Sequence, residues 1–89
     1  MWVQPKEYKA VGAALAAARG RAGLTQKQLA RLLRKPQSFV SNYERGQRRI
    51  DVLEMLRITE ALKADARHVF MDIVALRVEA RVTKGRKQV

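Results

Sequence analysis

Apolar positions along this chain recur at steps of three and four, the spacing that places side chains on one face of a helix. Tyr8, Val11, Leu15, Ala18 and Ala22 mark a first stripe, so a helix is expected over about Lys6 to Ala22. The sequence "GRAG" should end it, with Gly23 taking the left-handed cap conformation. Thr25 offers a hydroxyl N-cap to a second helix whose Leu29, Ala30 and Leu33 point one way. That helix must stop before Pro36, because a proline drives its preceding residue, Lys35, out of the helical region. Proline suits a first turn, so a third helix is expected from Pro36 to Arg45 with Gly46 as its C-cap. Asp51 caps a fourth, in which Leu53, Leu56 and Leu62 are the expected buried positions and Ile50 staples the entry. Asp65 caps a fifth.

The fifth segment carries two stripes where a small core needs one. Ala66, Val69, Phe70, Ile73 and Leu76 form the first; Met71, Val74, Val78 and Val82 form the second beside it. The stretch "LRVEARVT", Leu76 to Thr83, also alternates apolar and polar as a half-buried strand does. Helix is favoured there because Leu, Ala, Glu and Arg all propagate it well, and the basic tail 83–89 reads as disordered. The result is an all-α, five-helix domain over about residues 6–82 with an extended C-terminal helix, a short C-terminal strand being the alternative.

The third helix poses the functional question. On a wheel of about 100° per residue, Pro36, Val40 and Tyr43 fall inward with Phe39 at their edge, while Gln37, Ser38, Ser41, Asn42 and Arg45 fall outward. A solvated surface helix usually shows Glu and Lys. A row of short, neutral, hydrogen-bonding side chains instead matches a DNA major groove: Gln and Asn donate and accept at once to adenine, Arg clamps guanine, and Ser permits close approach. The bland alternative is that these residues only keep the helix soluble.

Charge favours the groove. Nineteen Lys and Arg against eight Asp and Glu give a net charge of +11 over 89 residues, which attracts polyanions. The chain is long enough for one domain with a modest core. With no cysteine and a single histidine, His68, it lacks the parts for a disulfide scaffold or a metal site, so no metal or cofactor is expected. Ser38 and Ser41 have no base within their own helix, which argues against nucleophilic catalysis and against an enzyme. Gly20 and Gly23 lack the preceding strand and the GK[ST] of a phosphate loop. No run approaches the roughly 18 apolar residues of a membrane span, and "KEYKAVGAALAAARG", although basic then apolar, is too Ala-rich for a leader peptide. A cytoplasmic, nucleoid-associated protein is expected.

The stretch from about Leu15 to Leu62 resembles the Cro and repressor type of helix-turn-helix protein, the xenobiotic-response-element class. "LTQKQLA", the hydrophobic residues Val40 and Tyr43, "YERG", and "RRID" leading into "LEMLRITEAL" carry the resemblance. One departure is Arg34, where the family turn commonly has glycine. The resemblance implies a helix-turn-helix over 25–46, with Gln37, Ser38 and Asn42 at base edges and Gln26 at a phosphate. It also implies an ion pair between Arg19 and Glu44, and Glu44 is the only acid between Arg19 and Arg49. Lys35, Arg45, Arg48 and Arg49 flank the reading face and are assigned to phosphates, with Arg48 or Arg49 a candidate for the minor groove. The expected function is sequence-specific binding of double-stranded DNA as a transcriptional regulator. A repressor is expected, dimeric through Met71, Val74, Val78 and Val82, on an inverted repeat. The rival is an antitoxin or antiactivator whose partner is a protein, gripped by the helix-turn-helix or the C-terminal stripe.

Overall fold

The computed structural model describes the backbone of residues 5–86 and the side chains of residues 6–78. Five helices follow one another: α1 Pro5–Arg21, α2 Gln26–Leu33, α3 Gln37–Glu44, α4 Val52–Leu62 and α5 Ala66–Arg86. The first turns of α2 and α4 are set by reciprocal capping boxes. Thr25 Oγ1 accepts from the Gln28 N–H at 3.0 Å while the Gln28 side chain accepts from the Thr25 N–H at 2.9 Å. Asp51 and Glu54 repeat the arrangement at 2.7 and 3.0 Å. Pro36 takes the extended N-cap position of α3 (φ −65°, ψ 154°), so the helix starts one residue later than expected and Pro36 stays exposed.

Each of the first four helices is stopped by one left-handed residue: Gly23 (φ 74°), Arg34 (φ 57°), Gly46 (φ 77°) and Lys63 (φ 55°). The amide after each one donates five residues back, Leu24 to Arg19, Lys35 to Ala30, Gln47 to Asn42 and Ala64 to Thr59, at 2.9–3.3 Å. The turn between α2 and α3 thus closes as a glycine turn would, with Arg34 bearing the left-handed backbone.

Ala14, Leu15, Ala18, Leu29, Ala30, Val40, Tyr43, Ile58, Leu62, Val69 and Ile73 form the core. Its buried α4 face is Ile58, Thr59 and Leu62 with Met55 packed beside them, not the expected Leu53 and Leu56, which are 71% and 43% exposed. Thr59 explains the difference. Its hydroxyl donates to the Met55 and Leu56 carbonyls at 3.0 and 3.1 Å, so a polar residue is buried at little cost and the apolar pattern alone points to the wrong face.

On α1, Ala10 and Ala14 are buried and Ala22, beyond the helix, is exposed. On α5, Val69 and Ile73 anchor the helix, whereas Phe70 and Leu76, placed in the same stripe by spacing, are exposed. The strand alternative for Leu76 to Thr83 is not what forms: α5 is one helix through Arg86, and among the described residues there is no strand. It also runs into the segment expected to be disordered, since an existing helix gains a hydrogen bond with each added residue and needs no new nucleus. Residues 87–89 of that tail lie outside the described residues.

Candidate nucleic-acid interface

The outward face of α3 is held by what lies behind it. Val40 and Tyr43 are buried, and Phe39 meets Tyr43 edge-on with ring centroids 5.5 Å apart. Burial, then the Glu44 carboxylate, pushes the Tyr43 phenol well above its ordinary pKa, so the ring serves as neutral packing. Its hydroxyl is buried without a hydrogen-bond partner among the described residues. Gly12 on α1 sits so close to the end of α3 that a Cβ there would lie 2.4 Å from the carbonyl oxygens of Tyr43 and Glu44. A hydrogen at that position lets the two backbones touch.

Behind the same helix, Arg19 and Glu44 meet as a two-pronged pair: Nε donates to Oε2 at 2.7 Å and Nη2 to Oε1 at 3.0 Å. Arg19 Nη1 also donates to the Leu24 carbonyl at 2.8 Å, tying the pair to the turn before α2. The Glu44 side chain is only 6% exposed, so the carboxylate belongs to the scaffold. It also accepts from Gln26 Nε2 at 2.8 Å, and Gln26 Oε1 in turn accepts from Gln37 Nε2 at 3.4 Å. The side chain expected at a phosphate is thus engaged in a relay from Glu44 to Gln37. Beside that side chain, the start of α2 adds the backbone amides of Gln26 and Lys27 as an anion site.

Gln37 and Ser38 are exposed, and Ser41 and Asn42 half-buried, on the face away from the core. Ser41 Oγ donates to the Ser38 carbonyl at 3.3 Å, and Arg45 Nη2 donates to Asn42 Oδ1 at 2.9 Å. The four residues expected to read bases therefore share one open surface with Arg45.

The flanking cations divide into two kinds. Lys35 Nζ lies 5.6 Å from the Phe39 ring centre and the Arg49 guanidinium 5.1 Å from that of Tyr8, stem-supported positions that keep a charge at the surface. Arg48, expected at a phosphate or in a minor groove, is pinned to the scaffold. It stacks 4.6 Å over Phe39, donates to the Arg49 carbonyl at 2.7 Å and grips both Glu54 oxygens at 3.1 and 2.9 Å. The Arg48 guanidinium, helped by the Asp51 N–H, holds the Glu54 carboxyl below the usual range. Glu54 and Gly12 are the residues that sequence reasoning passed over. The spacing Asp51-x-x-Glu54 was a visible capping box, but its second use, on Arg48, needed the loop's geometry.

Among the described residues, five acids are paired with arginines. Glu7 pairs with Arg77, Asp65 with Arg67, and Asp72 with Arg21, in addition to the Glu44 and Glu54 pairs. The stripe expected to pair copies is partly solvent-facing: Met71 is 61% and Val78 46% exposed, and Val74 is half-buried. The side chain of Val82 lies outside the described residues. Among the described residues no cluster of His, Cys, Asp or Glu could hold a metal, and no helix is long and apolar enough to cross a membrane.

An anchored helix presenting amides and hydroxyls, preceded by a tight turn and a capped helix and flanked by cations, defines a helix-turn-helix module for double-stranded DNA. The helix-turn-helix family HTH_3, of the XRE and Cro type, matches residues 15–68, and the chain belongs to it. It is a DNA-binding transcriptional regulator. Among solved structures, an XRE-family like protein from Pseudomonas syringae pv. tomato is similar at 38% identity, with 80% of this chain and 87% of that one covered and a TM-score of 0.69. The restriction-modification controller protein C.AhdI from Aeromonas hydrophila is similar at 31% identity, covering 72% of this chain and 97% of its own, with a TM-score of 0.67. The clp gene regulator ClgR from Corynebacterium glutamicum shares the fold, at 23% identity, 92% and 87% coverage and a TM-score of 0.83. No curated protein sequence matches the chain.

Proposed function

We propose that the chain is a sequence-specific repressor that binds an inverted repeat as a homodimer, in the cytoplasm at the nucleoid, by binding alone and without catalysis. The observation that carries this reading is the open face of α3, where Gln37, Ser38, Ser41 and Asn42 stand over a buried Val40 and Tyr43. One module contacts few base pairs, so useful specificity calls for two, about 34–36 Å apart on one side of the duplex. The exposed Met71 and Val78 beside half-buried Val74 supply a surface for that pairing. Occupying an operator is enough to exclude a polymerase, which asks of the chain only a reading face and a pairing face.

The test is selection from a random duplex library followed by footprinting of the winner. An inverted repeat with one-turn spacing is the expected product; no enrichment over random duplex would turn the reading toward the protein-binding rival. That rival draws on one observation of its own. Val52 and Leu53 on α4 are largely exposed and Leu56 partly so, apolar surface that the expected α5 stripe does not include.

A further inference from the structure

Arg45 was expected at a phosphate, yet its guanidinium is turned to the reading face, where Nη2 donates to Asn42 Oδ1 at 2.9 Å. The two residues are three apart on α3 and its C-cap, so they lie on one side of the helix. The contact changes what Asn42 can say to a base. A free asparagine amide offers one acceptor beside its donors, the pattern that matches adenine N6 and N7. Here one lone pair of the acceptor oxygen is already taken by a cation, and the groups beside it are the Asn42 Nδ2–H and the remaining Arg45 N–H groups. Because the partner of Arg45 is a neutral amide, its full positive charge stays on that surface, unlike Arg19 and Arg48, whose charges are matched by Glu44 and Glu54.

A donor-rich, positively charged edge disfavours the N6 amino group of adenine. It complements guanine, whose major-groove edge presents two acceptors, N7 and O6. We infer that Asn42 and Arg45 act as one composite clamp that reads guanine, and that Arg45 is a specificity-determining residue rather than a phosphate contact. This rests on the base-reading role of α3 proposed above. Gln37 differs: its Nε2 donates to Gln26, leaving its own Oε1 to accept, so its neighbourhood keeps the mixed pattern.

The test is site selection with the full chain as wild type, Asn42→Ala, Arg45→Met and Arg45→Lys, circular dichroism showing that each keeps its helix content. The position whose preference vanishes in Asn42→Ala marks the base in question. Wild type is expected to select guanine there, and 7-deazaguanine at that base to weaken binding by roughly 5- to 150-fold. Arg45→Met is expected to turn the choice toward adenine. Adenine selected by the wild type, or an Arg45→Met protein weakened evenly on all sequences with its preferences intact, would overturn the clamp while leaving base reading in place. Loss of enrichment at every position in the wild type would sink base reading itself.

Discussion

Two residues show how the outward face of α3 and the loop after it are held from behind. Gly12 is a packing residue: a Cβ would overlap two backbone carbonyl oxygens at 2.4 Å, and backbone cannot swing aside as a side chain can. Gly12→Ala is expected to cost about 3 kcal/mol, read as a lower urea midpoint, and to weaken duplex binding as α3 is pushed off α1. A loss below about 0.5 kcal/mol, the scale of an ordinary surface substitution, would mean the two helices are not so tightly apposed. Glu54 holds Arg48 and caps α4, and its carboxyl is kept below the usual range by that guanidinium first and the Asp51 N–H second. A depressed folded-state pKa stabilises the fold above the unfolded value, near 4.3 for Glu, and that contribution is lost as pH falls through the folded value. Glu54→Gln should therefore be less stable than wild type at pH 7, with the gap closing below about pH 4. A gap unchanged from pH 7 to pH 3 would show that the charge of Glu54 is not what matters.

At the scale of elements, termini were legible and faces were less so. Thr25, Pro36, Asp51, Gly23 and Gly46 act within a few residues of themselves, so the local sequence contained their effect. Which side of α4 turns inward depended on Thr59 burying its hydroxyl against its own helix, information that a pattern of apolar letters omits. The α5 ambiguity had the same origin: two stripes and an alternating stretch fit several partners until Val69 and Ile73 met the core. For the site, helical spacing sufficed to place Gln37, Ser38, Ser41 and Asn42 outward, while the pairing of Arg48 with Glu54 and of Arg45 with Asn42 required three dimensions. The helix ends also carry a prediction. Lys63 holds a left-handed conformation that costs a residue with a Cβ more than it costs glycine. Lys63→Gly is expected to stabilise the fold by roughly 0.5–1 kcal/mol, seen as a higher urea midpoint at unchanged m-value. A destabilised protein would show that the Lys63 side chain contributes more than its backbone strain removes.

On the scale of the whole molecule, the charge and the apolar surface are segregated in function. Five of the eight acids are matched, among the described residues, to arginines in the scaffold, and the excess of cations sets the long-range field that draws in a duplex. In the proposed dimer, the second α5 stripe brings two such fields onto one duplex. Sedimentation of a Val74→Asp, Val78→Asp double variant is expected to show a monomer where wild type is a dimer, with affinity for an inverted repeat falling more than affinity for a half-site. An unchanged sedimentation coefficient would remove α5 as the pairing surface.

The carboxylate of Glu44 is shared between Arg19, in the last turn of the first helix, and Gln26, which in turn touches Gln37 on the outward face of α3. Under the proposed base reading, clamping Gln37 tightens a chain of contacts that ends at Arg19 on α1, so recognition and rigidity should rise together. Amide hydrogen exchange would show it: bound operator should slow exchange around Arg19 as well as along α3, and protection confined to α2 and α3 would mean the tether is slack.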